Sequence, residues 1–181
     1  MTHHRRAVVG VIFITGLIIL SICLMFTFSD QDVNSNQSLN DNSPKTPATD
    51  QEIVSLVNIE RGKNNAEPLI VSNELQASAQ FKADDMANRN YLSHNDPVTN
   101  AENGLDKAIE VTNGNCAYVS ENIRWGSDDM ATAKAAIDGW MGSPSHREAM
   151  LDPKYSYTGI GLSQNKSGEH IIVQHFCEVA L

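Results

Sequence analysis

The chain changes its hydrophobic rhythm three times. Residues 7–28, AVVGVIFITGLIILSICLMFTF, are apolar throughout and carry no charged side chain. Residues 29–48 are polar, rich in Asn, Ser and Asp, with Val33 and Leu39 as the sizeable apolar groups. From Thr49 onward, apolar residues first recur at helical spacing and later alternate. At about 1.5 Å per residue the first run makes roughly 33 Å of helix, enough to cross the hydrocarbon core of a bilayer. The second run cannot bury enough surface to offset its chain entropy and reads as a flexible stalk.

The third part predicts helices first and strands last. Thr49-Asp50-Gln51-Glu52 fits a capping box, with Ile53, Leu56 and Val57 following, and Gly62 to Asn65 ends that helix. A second helix starts near Ser72 or Asn73, shows Leu75, Ala79, Ala83 and Met86 on one face, and fades at Asn88 to Asn90. A short helix is expected over residues 101–109. A third long one is expected over residues 127–141, with Ser127 as cap and Gly142 to Pro144 as stop. Strands are expected over residues 118–123, 157–163 and 170–179, the last two joined by a hairpin loop at Asn165 to Gly168. That order predicts an α+β layer fold.

Charge and cysteines place the parts. Arg5 and Arg6 precede the apolar run and the first acidic residue after it is Asp30, so a cytoplasmic tip (1–6), a single-pass signal-anchor helix (7–28), a stalk (29–48) and an extracytoplasmic domain (49–181) are expected. The alternatives are a cleaved signal peptide, for which Thr27-Phe28-Ser29 is a poor cleavage site, and lipidation at Cys23, where Ile22 is bulky. The net charge of −9 and the lack of a basic stripe exclude nucleic acid as a partner. The membrane is met through residues 7–28 only. Cys116 and Cys177 both lie outside, where disulfides persist, so a bridge between them is expected over two free thiols. Two Cys and no CxxC argue against a zinc-thiolate centre.

The candidate chemistry sits in three short polar motifs: Ser93-His94-Asn95-Asp96-Pro97, Ser120-Glu121-Asn122-Ile123, and Ser143-Pro144-Ser145-His146-Arg147. His and Glu bind divalent metals and move protons near neutral pH. With LVNIERGKNNAEPLIVSNELQASAQFKADDMANRNYLSHNDP, GWMGSPSHREAMLDPKYSYTGIGLS and the closing VQHF, these motifs resemble the CAP superfamily (cysteine-rich secretory proteins, antigen 5, pathogenesis-related 1; the SCP domain), in its short microbial branch. The resemblance covers nearly all of residues 49–181. It implies an α-β-α sandwich with a central antiparallel sheet and a surface cleft holding two His and two Glu. By motif, His94, Glu121 and His146 match three of the four. The fourth position, three residues after Trp140, holds Ser143, which removes a charge and a metal ligand.

Three functions follow for such a cleft. The first is binding of a divalent metal such as zinc, or of a lipid, sterol or glycan, with no cofactor required. The second is hydrolysis by His94 or His146 with Glu121. It lacks support from a Gly-x-Ser-x-Gly elbow or an HExxH helix, and a serine near a histidine is common by chance. The third is a hydrogen-bonded His/Glu network that only holds the fold. Asn122 and Ser143 are expected at the cleft periphery as hydrogen-bonding groups. Trp125 and Trp140 are expected in the core, and Arg147 and Asp152 as an ion pair or as solvated charges. His170 and His175 are read as strand residues outside the ligand set, with His175 facing the same side as Val173 and Cys177.

Overall fold

The structure is a computed structural model that describes residues 47–179. The expected cytoplasmic tip, membrane helix and all but the last two residues of the stalk lie outside the described residues. Among the described residues no helix is long and apolar enough to cross a membrane.

The first two helices form where their caps predict. Thr49 Oγ1 accepts from the Glu52 amide at 3.2 Å, and the Glu52 carboxylate accepts from the Thr49 amide at 3.1 Å, opening α1 (Asp50–Lys63). A two-residue strand β1 (Ile70–Val71) then leads to Ser72, whose hydroxyl accepts from the Leu75 amide and opens α2 (Asn73–Arg89). Asn90 ends α2 in the left-handed conformation, φ 55° and ψ 55°. Helix α3 (Asn103–Val111) starts two residues later than its pattern suggests. The turn at Thr112 to Asn115 feeds β2 (Cys116–Gly126).

The long helix expected over residues 127–141 is divided. Ser127 makes no cap bond, and a 3-10 turn (Asp128–Ala131) follows it. Thr132 takes over as cap, accepting from the Ala135 amide at 3.2 Å, and α4 (Ala133–Gly142) starts there. Gly142 to Pro144 stops α4 but also restarts the chain. Pro144 occupies the first turn of a further helix, α5 (Pro144–Leu151), where its fixed φ and missing N–H cost nothing. Strands β3 (Tyr157–Gln164) and β4 (His170–Val179) close the domain as a hairpin.

The sheet order is β1-β3-β4-β2. The three long strands are antiparallel, but β1 pairs parallel with β3 (Ile70↔Tyr157, Val71↔Thr158). The sheet is therefore mixed, not wholly antiparallel as expected. Two residues are too few to show alternation, which is why β1 was illegible. Helices cover both faces. Ile160, Ile172 and Phe176 pack with Ile53, Val57, Ile137, Trp140 and Met150 of α1, α4 and α5. Ile171 and Val173 pack with Ala79, Ala83, Met86 and Ala87 of α2, where Ile123 and Trp125 join them. The expected bridge is present: Cys116 and Cys177 join the start of β2 to the end of β4.

Two side-chain arrangements fix the spacing of these layers. The fully buried Arg61 guanidinium donates to the carbonyls of Glu67, Met150, Asp152 and Tyr155, at 2.7 to 3.0 Å, tying α1 to α5 and the approach to β3. Asp152 pairs with Lys154 at 2.9 Å, and Arg147 donates to the Met141 carbonyl at 3.0 Å, so the expected Arg147–Asp152 pair does not form. On the other face, α2 lies directly on two glycines of β3. A Cβ on Gly159 would stand 2.1 Å from the Gln76 amide nitrogen, and one on Gly161 2.2 Å from the Ala79 carbonyl.

Because backbone, not a flexible side chain, occupies that space, Gly161→Ala is expected to destabilise the domain by roughly 3 kcal/mol or more. Urea unfolding of the full chain in detergent measures this, and a midpoint equal to that of wild type would contradict it.

Candidate functional site

The site is organised around a carboxylate that the fold removes from water. Glu121 lies on β2 with its side chain 1% exposed, on the face that α2 covers. Its cross-strand partner on β4 is His175, itself fully buried. His175 Nε2 meets Glu121 Oε2 at 2.9 Å, and His94 Nδ1 meets Glu121 Oε1 at 2.7 Å. Burial by itself pushes the Glu121 carboxyl up. The hydrogen bonds from His175 and His94, and then the charges of His175 and Lys82, more than offset it and hold the group below the ordinary carboxylate value.

His94 is brought to this carboxylate by the way α2 ends. After Asn90 the chain turns back, and the buried Lys82 ammonium donates to the His94 carbonyl at 2.8 Å, Asn103 Oδ1 at 2.7 Å and Tyr91 Oη at 3.3 Å. All three of its protons are used in holding the loop to α2 and α3. Arg89 bridges Asp85 and Asp96, and Asp96 also accepts from the Val98 and Thr99 amides at 2.8 Å. The Arg89 hydrogen bond, with these two amides, holds the Asp96 carboxyl well below its ordinary range. Burial and the hydrogen bond to Asp85 push the Tyr91 phenol up to about 12, so it remains a donor. The loop that presents His94 is therefore fixed on both sides. The His94 side chain is 44% exposed, and its Nε2 has no hydrogen-bond partner among the described residues.

His146 sits in the first turn of α5, which the restart at Pro144 creates. Burial first, and then the charge of His94, lower its pKa, so the two imidazoles sense each other electrostatically. Asn122 points to the opposite face of β2 from Glu121 and donates to the His146 carbonyl at 3.0 Å, anchoring α5 from behind. Its Oδ1, and Oε1 of its cross-strand partner Gln174, have no hydrogen-bond partner among the described residues. Ser143 is half-buried and makes no side-chain hydrogen bond there. Of the residues expected in the cleft, the fold thus joins His94 and Glu121 directly, and Asn122 ties the helix that carries His146 to β2.

Sequence reasoning missed His175, Ser78, Lys82 and Gly104. Ser78 Oγ lies 2.8 Å from His175 Nδ1 and extends the chain Ser78–His175–Glu121–His94 into α2. A Cβ on Gly104, in α3, would fall 2.5 Å from Glu121 Oε2 and 3.0 Å from Lys82 Cγ, so any larger residue there must displace the buried carboxylate. One signal was available for His175. A histidine in the apolar run of β4 falls on a covered face and must find a partner there. The His170 side chain, at the other end of that strand, meets Gln164.

The donor set does not fit a complete metal centre. Both oxygens of Glu121 are engaged by imidazoles, and no three His, Cys, Asp or Glu side chains among the described residues are grouped to hold an ion. Two histidines fall short of the three protein ligands of an open zinc site. What the arrangement supplies is an imidazole whose ring orientation is set by a buried carboxylate.

Residues 54–176 match the model of the Cysteine-rich secretory protein family (CAP). The chain is similar to the uncharacterized protein YkwD of Bacillus subtilis (strain 168), 29% identical over 66% of this chain and 44% of that protein. It is also similar to the uncharacterized membrane protein YlbC of the same strain, 27% identical over 68% of this chain and 34% of that one. The chain thus spans less than half the length of either relative. In fold it is similar to an SCP-domain extracellular protein of Bacillus anthracis str. Ames, with a TM-score of 0.60 and 24% identity over 71% of this chain and 40% of the other.

Two outcomes are expected of the site itself. Gly104→Ala, which in an open helix would add stability, is expected to cost about 2 kcal/mol by displacing Glu121 and Lys82; a rise in the unfolding midpoint would contradict the contact. Glu121→Gln is expected to destabilise the fold at neutral pH. Because the folded carboxyl lies below its unfolded value of about 4.3, its contribution is complete above that pH and lost as pH falls through the folded value. The stability gap between wild type and variant should therefore narrow below about pH 4, and a gap constant with pH would refute it.

Proposed function

We propose that this chain, which belongs to the cysteine-rich secretory protein (CAP) family, is an extracytoplasmic binding module tethered to the membrane by residues 7–28, and that it holds a polar ligand at His94 and His146. The tether rests on the uncharged apolar run and its arginine flank, and a relative named as a membrane protein agrees with it. The Cys116–Cys177 bridge suits an oxidising compartment.

The observation that carries the binding reading is the half-exposed His94, with Nδ1 bonded to a buried carboxylate and Nε2 without a hydrogen-bond partner among the described residues. A ring held this way meets a ligand without first losing rotational freedom. The residues adjoining His94 in sequence, Ser93 and Asn95, are polar and suit hydroxyl groups, so a glycan is the favoured ligand class. A lipid or sterol needs an apolar cavity. Two concavities, one of about 500 Å³ between α1 and the start of α4 and one of about 540 Å³ beside the disulfide, are lined by neither His94 nor His146. Zinc is the weaker occupant because among the described residues no three His, Cys, Asp or Glu side chains are grouped to hold an ion.

A second reading is hydrolysis, since a carboxylate on Nδ1 is also how a general-base histidine is oriented. Its nucleophile would be water, because neither Ser143 nor Ser145 hydrogen-bonds to His146 among the described residues.

Binding of the full chain, in detergent micelles, to an oligosaccharide array is expected for wild type and is expected to fall at least about tenfold in His94→Ala, the worth of roughly 1.4 kcal/mol of hydrogen bonding. The variant should stay folded by circular dichroism. No glycan retained by wild type, or full retention by the variant, would sink the glycan reading. Unfolding of His94→Ala would instead favour a structural network, and saturable 1:1 zinc binding would restore the metal.

A further inference from the structure

We infer that His175 is the positioning residue of this site: by donating from Nε2 to Glu121 it holds the carboxylate so that His94 is protonated on Nδ1 and presents Nε2 as an acceptor. The site is thereby committed to ligands that offer a donor hydrogen, such as hydroxyl or amide groups. This deepens the binding reading above, but its test reads ring protons without any ligand, so either can fail alone.

The argument starts from proton counting along the buried chain. Glu121 Oε1 and Oε2 face one imidazole nitrogen each, at 2.7 and 2.9 Å. An ionised carboxylate only accepts, so both His94 Nδ1 and His175 Nε2 must carry hydrogen. That leaves Nδ1 of His175, which faces Ser78 Oγ at 2.8 Å. Ser78 has one hydroxyl proton and two acceptors within reach, this nitrogen and the Leu75 carbonyl at 2.9 Å. If the proton goes to Leu75, His175 must carry two hydrogens and a positive charge. If it goes to His175, the ring is neutral. Leu75 O already serves the α2 ladder, so it does not depend on Ser78.

On either branch Nε2 of His175 carries hydrogen and donates to Glu121 Oε2, and His94 carries its hydrogen on Nδ1. Lys82 spends its three protons on the His94 carbonyl, Asn103 and Tyr91, so the two imidazoles are the direct donors to the carboxylate among the described residues.

The fold supplies the contact that makes this possible. Across the sheet the row runs Glu121, His175, Gly159. Because Gly159 has no side chain, the backbone of α2 at Leu75 and Gln76 settles on that row, and Ser78 comes within reach of the ring. The Ser-His-Glu order is that of a hydrolytic triad, but Ser78 and His175 are both 0% exposed and no substrate can touch the hydroxyl. The chain works in the other direction, from the core outward to His94.

The test is side-chain nitrogen NMR of the full chain in detergent micelles, labelled with ¹⁵N-histidine, at neutral pH. Wild type is expected to show His94 protonated on Nδ1 and His175 on Nε2. His175→Gln, which keeps one donor, is expected to leave the His94 tautomer unchanged. His175→Leu is expected to give a mixture of both His94 tautomers. Finding His94 as the Nε2–H form in wild type, or His175 as the Nδ1–H form, would overturn the proposal. So would a single Nδ1–H tautomer persisting at His94 in a folded His175→Leu protein. Should the leucine variant fail to fold, the wild-type assignments and His175→Gln decide, since a mixed His94 tautomer in the glutamine variant is equally contradictory.

Discussion

A carboxylate buried at the centre of a sheet face has to be satisfied on both oxygens, and much of this domain's local structure meets that requirement at Glu121. One oxygen is met across the strands by His175 and the other by His94, with the Lys82 ammonium balancing the charge. Each partner in turn constrains an element. His175 takes Ser78 of α2. Lys82 holds the loop after α2 to the start of α3. Gly104 brings α3 against the carboxylate itself. The same contacts that stabilise the α2 face of the sandwich leave the His94 imidazole half-exposed in a fixed orientation.

The two faces of the sheet do different work. On the α2 face, close approach over Gly159 and Gly161 is combined with a buried polar chain. On the other face, apolar packing around Trp140 and Phe176 dominates, and polar order comes from the Arg61 guanidinium on four backbone carbonyls. Glu121 and Asn122 are adjacent in sequence and point to opposite faces, so this pair reaches both His94 and the helix that carries His146. An even–odd pair on one strand thus connects two histidines that lie far apart in the chain.

How legible this was depended on the range of the physics involved. Caps and turns are local, and the starts of α1 and α2, the end at Asn90 and the final hairpin were readable from a few residues each. The disulfide was readable from compartment and count. The split at Thr132 was misread because an apolar pattern of helical period continues through it, and only the competition between Ser127 and Thr132 for a cap decides; the stop at Gly142 to Pro144 was read, but the polar run after it hid the restart as α5. The motif residues His94, Glu121 and His146 were identifiable, but their roles were not, because the Glu121 side chain is spent on two histidines. His175 lay on the side expected for it. Its partner could be found only when β2 and β4 were set in register, a contact between residues 54 positions apart. Gly159 and Gly161 carried a usable hint: alternate glycines on one face of a strand mark the approach of another backbone.

The central claim is that Glu121 is ionised inside the folded domain and is kept so by its two histidines. The direct measurement is a pH titration of its side-chain carboxyl by ¹³C NMR. A carboxylate signal at neutral pH, with a midpoint below about 4.3, is the predicted result. A protonated carboxyl at neutral pH, or a midpoint above the ordinary value, would contradict the account.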